Sequence, residues 1–110
     1  MATGCRTQTL TIANGATTTG TAFLAQNMAA FGLQMPAAFT GTSITFTVSA
    51  DGATFQALYD STGATAVSMS VAASRSYDLP SALTAWRAFK IVSGSAEAAS
   101  RDLIVVGKAA

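Results

Sequence analysis

Histidine is absent from the 110 residues, which removes the commonest general base and the commonest nitrogen ligand for a metal together. The carboxylates are Asp51, Asp60, Asp78, Asp102 and Glu97. Glycoside hydrolysis needs two of them about 5–10 Å apart, and Glu97 falls in a small-residue stretch, Ser95 to Ser100, that reads as a flexible loop. Asp51 and Asp60 adjoin turn signals, where a short carboxylate bonds its own backbone. Calcium would need several oxygens converging from such loops. A hairpin instead puts Asp51 at its turn and Asp60 at the far end of its second strand, so turn chemistry is the better reading. Cys5 is the single cysteine, which excludes an internal disulfide and a cysteine-cluster zinc site. With Arg6 its only charged neighbour and no base, it reads as an inert reduced thiol near a mobile terminus.

Tyr59, Tyr77 and Trp86 could make a platform for sugar rings. The plainer reading has Trp86 and one tyrosine plugging the ends of a core, with their polar atoms at its rim. No two glycines stand two apart and no Gly-Lys-Ser/Thr string occurs, so phosphate-cradling loops are absent. Arg87 and Lys90 sit close together without making a basic stripe, and the net charge is only +1. Nucleic acid and anionic membrane are therefore not expected partners. The residues lead to a protein that is not an enzyme and has no catalytic, metal-binding or cofactor-binding set.

The elements that carry these residues show a period of two. Ser43 to Ala50 places Ile44, Phe46 and Val48 on one side and Thr45, Thr47 and Ser49 on the other, the pattern of a strand with one wet face. Asp51-Gly52 supplies a turn, and Thr54 to Asp60 is the return strand. Ser61-Thr62-Gly63 turns the chain again into Thr65 to Val71, with Val67, Met69 and Val71 inward. Arg75 to Leu79 is a short strand halted by Pro80, and Ser81 to Ala85 is one helical turn that Ser81 can cap. Trp86 to Ser93 is a further strand, and Leu103 to Val106 is a closing strand apolar enough for burial on both faces.

Toward the start, Arg6 to Ile12 alternates, Asn14-Gly15 turns, and Thr17 to Thr21 is the lip of a strand or a loop. Gln26-Asn27 reads as loop. Ala29 to Met35 is a strand ending at Pro36, after which Ala37-Ala38-Phe39 makes one apolar turn over the core. No helix pattern reaches the ~10 residues of an ordinary globular helix. About eight short, regularly spaced strands imply an all-β chain: a single β-sandwich domain over 1–110, best matched by an eight-stranded jelly roll, with loose ends at the first few residues and at Lys108 to Ala110.

Half of the residues are apolar, yet no run approaches the ~20 needed to cross a bilayer, and MATGCRTQTL lacks the layout of a secretion signal. Only 10% of residues are charged, against about 25% in ordinary soluble domains, so the wet strand faces must be built from Thr, Ser, Ala and Gln. Such a surface loses little on being covered, because a hydroxyl is cheaper to desolvate than Lys or Glu. Edge strands are blunted by few charges: Arg6, Arg75, Arg101 and Lys108 lie near strand ends. Thr7 to Ile12 is the natural segment to cross to a neighbour, and a dimer or trimer is expected.

Four stretches carry a resemblance: Gly32 to Thr40 (GLQMPAAFT), Ile44 to Gly52 (ITFTVSADG), Phe55 to Gly63 (FQALYDSTG) and Trp86 to Gly94 (WRAFKIVSG). With the segments between them they span over half of the chain. In these features the sequence resembles small β-sandwich virion proteins of tailed bacteriophages, among them decoration, or cement, proteins. The resemblance implies a protein assembled in the host cytoplasm and seated on the outer capsid surface, with the major capsid protein and copies of itself as partners. Related sandwiches occur in tails and fibres, which leaves a glycan-binding module of that kind as the alternative.

Overall fold

A computed structural model describes residues 5–26 and 28–109. Its strands are β1 (Cys5–Ile12), β2 (Phe23–Leu24), β3 (Met28–Gln34), β4 (Ser43–Ser49), β5 (Gln56–Ala57), β6 (Ser68–Ser70), β7 (Ser76–Asp78), β8 (Ala88–Ser93) and β9 (Arg101–Ala109), with one 3-10 turn at Ser81–Ala85. They form two antiparallel sheets. The first has the order β1-β9-β3-β7; the second runs β2-β8-β4, with β5 and β6 both on the outer side of β4.

The pairs β1·β9, β2·β8, β3·β7 and β4·β5/β6 are nested like one long hairpin, and successive pairs alternate between the sheets. With β5 and β6 taken as one interrupted strand this is the expected eight-stranded jelly roll, whose two sheets pack inner face to inner face. The interruption is a small hairpin. Leu58 N–H bonds Phe46 C=O, the chain then leaves β4 to turn at Asp60–Gly63, and Val67 N–H returns to Leu58 C=O. The expected strands Thr54–Asp60 and Thr65–Val71 therefore keep only two and three ladder residues.

Inward side chains follow the alternation. Leu10, Ile12, Phe31, Leu33, Leu103 and Val105 come from the first sheet, and Phe23, Ile44, Phe46, Val48, Phe89 and Ile91 from the second; all are buried. Phe89 sits at the centre, its ring centroid 5.5 Å from Phe23, 5.2 Å from Phe31 and 6.4 Å from Phe46, two of these contacts edge-to-face. Gly107 lies under this cluster. A Cβ there would come within 2.8 Å of the Phe23 ring and 3.0 Å of the Met28 sulfur, so the absent side chain is what lets the rings reach β9.

Several expectations are corrected. The 3-10 turn sits where the sequence placed a helical turn, but Pro80 precedes it and no side chain caps it, so Ser81 is not the cap. Trp86 lies before β8 rather than in it. The closing strand runs to Ala109, so Lys108 and Ala109 are ladder residues, opposite Cys5 and Met28 respectively, rather than a tail. Cys5 is likewise the first residue of β1 and exposed there. The short strand β2 was not foreseen, because two residues give no period. The loose ends expected at residues 1–4 and 110, and the loop reading of Asn27, fall outside the described residues.

Glu97 departs furthest from expectation. Its side chain is fully buried and accepts from Thr40 N–H (2.9 Å), Thr40 Oγ1 (2.8 Å) and Arg101 Nε (2.9 Å), while its carbonyl accepts Gly15 N–H. It clips three connections together rather than decorating a flexible loop. Burial pushes the Glu97 carboxyl up, but the Arg101 and Thr40 bonds outweigh it and leave it lowered.

Two outcomes follow. Gly107→Ala is expected to destabilise the fold by about 1–3 kcal/mol through forced overlap with Phe23, read by chemical denaturation. Because Glu97, Asp51 and Asp60 all titrate lower when folded, their stabilisation is complete above the unfolded carboxyl range, begins to fall within it, and is lost as pH drops on through the lower folded values. Thermal melts should be level near neutrality and drop below about pH 4, with a shallower drop for Glu97→Gln.

Candidate functional site

β9 lies between β1 and β3, so it has two covered edges and two faces. Its inner face buries Leu103 and Val105. Its outer face presents Ile104 and Val106, half-buried among the described residues. The sequence suggested burial on both faces; the single chain buries one.

Cross-strand register completes this outer face. Thr9 stands opposite Ile104 and Thr7 opposite Val106 on β1, while Gln34 and Gly32 oppose the same two residues on β3. Beyond β3, Ser76 and Asp78 of β7 pair with Gln34 and Gly32. Charge is confined to the margins: Asp102 accepts a hydrogen bond from Thr11 at one end, Lys108 lies at the other, and Asp78 is on the β7 side. Among the described residues the middle of the face carries hydroxyls, one amide and two aliphatic side chains.

The face has a hollow of about 450 Å³ over Gly32, walled by Gln34, Ser76, Tyr77, Asp78 and Val106. A Cβ on Gly32 would meet only the Tyr77 carbonyl, at 3.6 Å, an ordinary contact. The fold itself does not demand glycine there; the hollow exists because no side chain fills it. Of the cations named near strand ends, Arg6 turns inward to stack on Phe23 (4.7 Å) and Arg101 turns to Glu97, so neither guards a sheet edge.

The three aromatic candidates do not form one platform. Tyr77 is half-buried and its hydroxyl accepts Ala72 N–H on the first sheet. Trp86 is half-buried against the core, while Tyr59 is exposed. Tyr59 and Trp86 share a hollow of about 310 Å³ beside the end of β4 and β5, with Thr54, Gln56 and Asp51 among its lining. Asp51 is committed to its turn: the N–H groups of Thr54 and Ala53 and the Ser49 hydroxyl hold its carboxyl down to about 2. Gly52 completes that turn at φ +83°. Asp60 is likewise bonded within its own turn, by Thr62. Among the described residues no three metal-ligating side chains of the His, Cys, Asp or Glu type cluster. Lys90 stacks on Phe55 at 4.7 Å, away from any basic cluster with Arg87.

No protein-family profile matches the chain, and no curated protein does. Solved structures share the fold. The SPBc2 prophage-derived protein YomS aligns over 99% of this chain and 98% of its own, with TM-score 0.59 and 13% identity. A cupin domain from Bordetella pertussis Tohama I aligns over 100% and 85%, with TM-score 0.50 and 11% identity. A part of IMPa from Pseudomonas aeruginosa, 13% of that chain, aligns with all of this one at TM-score 0.51 and 15% identity. At these identities the likeness is one of fold: a jelly-roll sandwich, with a prophage-derived protein of matching size among those that share it.

Gly32→Ala should alter stability by less than about 1 kcal/mol, since its backbone lies outside the positive-φ region and the added methyl has room. Denaturation midpoints for the two proteins check this.

Proposed function

We propose that this protein is a virion structural protein of a tailed bacteriophage, bound to the outer surface of the assembled capsid as a decoration protein that stabilises the shell. The observation that carries the reading is the outer face of the first sheet, where Ile104 and Val106 stand among Thr7, Thr9, Gly32 and Gln34 with charge kept to the margins. Covering the middle of such a face removes aliphatic area from water, with the charged groups of Asp78, Asp102 and Lys108 left at its rim rather than at its centre. The motif resemblance to virion sandwiches gives the class of partner, the major capsid protein, and the fold shared with a prophage-derived protein is compatible with it. The role is mechanical and needs no reacting group. Each copy buries its face against neighbouring capsomers, and many weak brackets together oppose outward pressure.

A second reading has its own observation. Tyr59 and Trp86 line one hollow beside Gln56 and Thr54, an aromatic-and-polar arrangement that could take a sugar ring if the protein sat on a tail or fibre.

Purified virions decide between them. Expected for the capsid reading is a copy number commensurate with the shell lattice, and particles stripped of the protein that rupture at lower temperature. Ile104→Glu and Val106→Lys should fold normally and bind stripped heads at least about tenfold more weakly. A copy number fitting only a tail or single vertex, or equal rupture temperatures, overturns it. Host-cell attachment lost in Tyr59→Ala with head binding intact would favour the glycan reading.

A further inference from the structure

Among the described residues β1 is the longest edge strand, eight residues, and β9 is the one strand it pairs with. The other edges are short: β7 has three residues, β2 two, and β5 and β6 two and three. Along the half of this edge around Thr7 few of the devices that blunt a long edge act. There is no proline and no register shift, and the one charge, Arg6, lies against Phe23. Among the described residues the segment Gly20 to Ala22 reaches the strand only at Thr11 C=O and at the Gln8 side chain.

Which backbone groups face outward is fixed by one bond. Gly20 N–H donates to Thr11 C=O from the side away from β9. In an antiparallel ladder both groups of a residue point the same way and successive residues alternate. Thr9, Thr7 and Cys5 therefore also aim their N–H and C=O groups away from β9. Among the described residues no hydrogen-bond partner reaches these groups of Thr7 or Thr9, and both residues are exposed.

We propose that this edge pairs with β1 of a second copy, antiparallel about a twofold axis through Thr7, to give one continuous eight-stranded sheet from two chains. The register follows from the free groups. Centred on Thr7, the pairs are Thr7 with Thr7 of the second copy and Cys5 with its Thr9 in both directions, so outward groups meet outward groups. Centred on Thr9, the strand would call on Thr11 C=O, which already accepts Gly20 N–H. The Thr7 register also sets Arg6 against neutral Gln8 of the other copy rather than against another cation. A self-complementary edge of this kind closes as a dimer. The two outer faces then adjoin, doubling the area offered to a shell. This pairing goes beyond the capsid reading and does not require it, since it is measured on the protein alone.

The test is sedimentation of the purified protein across a concentration series, joined to thiol cross-linking. Expected is a dimer whose dissociation constant rises at least about tenfold in Thr7→Pro, which removes an edge N–H without touching the β9 ladder, and in Thr7→Lys, which opposes like charges across the axis. Both variants should keep the parent's β-sheet circular dichroism and a cooperative melt that no longer depends on protein concentration; if Thr7→Pro fails to fold, Thr7→Lys gives the reading. In a Cys5→Ser background, Thr7→Cys should form an intermolecular disulfide on oxidation, because hydrogen-bonded partners lie about 5.5 Å apart at Cα. Thr9→Cys in that background should not, the two positions being offset by roughly 14 Å. A monomer at every concentration, a dimer indifferent to folded Thr7→Lys, or a cross-link at Thr9 in place of Thr7 overturns the proposal. Each of these outcomes is separate from whether Ile104 and Val106 bind heads.

Discussion

The distance between the two sheets is set by Phe89. Its ring meets Phe23, Phe31 and Phe46 within one layer, and the layer closes because Gly107 has no side chain to hold β9 away from Phe23. Four aromatic rings supply much of the apolar area a chain of this size can bury, and their edge-to-face contacts fix geometry as well as area. The buried rings occupy the space between the sheets, and the hollows described above lie over Gly32 and beside Trp86.

Scarcity of charge shapes the exterior. Of the few ionic groups, Glu97 and Arg101 hold the connections at one end together, Arg6 and Lys90 stack on Phe23 and Phe55, and Asp51 and Asp60 lock turns. Charges so engaged cannot also keep sheet faces and edges solvated. The outer face of the first sheet and the free edge of β1 are consequences of the same economy. They meet at Thr7 and Thr9, whose side chains belong to the face while their backbone groups belong to the edge.

Much of this was legible in the residues. The alternation of Ser43–Ser49, the Asp51-Gly52 turn, the stop at Pro80 and the apolar turn ending at Phe39 all appear where the pattern placed them. Glu97 was not legible. A lone glutamate among Ser and Ala gives no local signal of burial; Arg101 stands only four residues on, but Thr40, which takes two of its bonds, arrives from 57 residues away. The turn at Ser61-Thr62-Gly63 was legible, but that β5 and β6 on either side of it both pair with β4 was not, since strand partners leave no mark in a local run of residues.

By itself, the sequence determined the fold class and which side chains face inward, because alternation along a strand is a property of the covalent backbone. Only the tertiary structure decided that β9 is central and β1 is an edge, that one face of β9 stays open, and that Glu97 is inside. Those outcomes depend on which distant segments become neighbours, and neighbours are chosen by the packing of the whole rather than by any local run of residues.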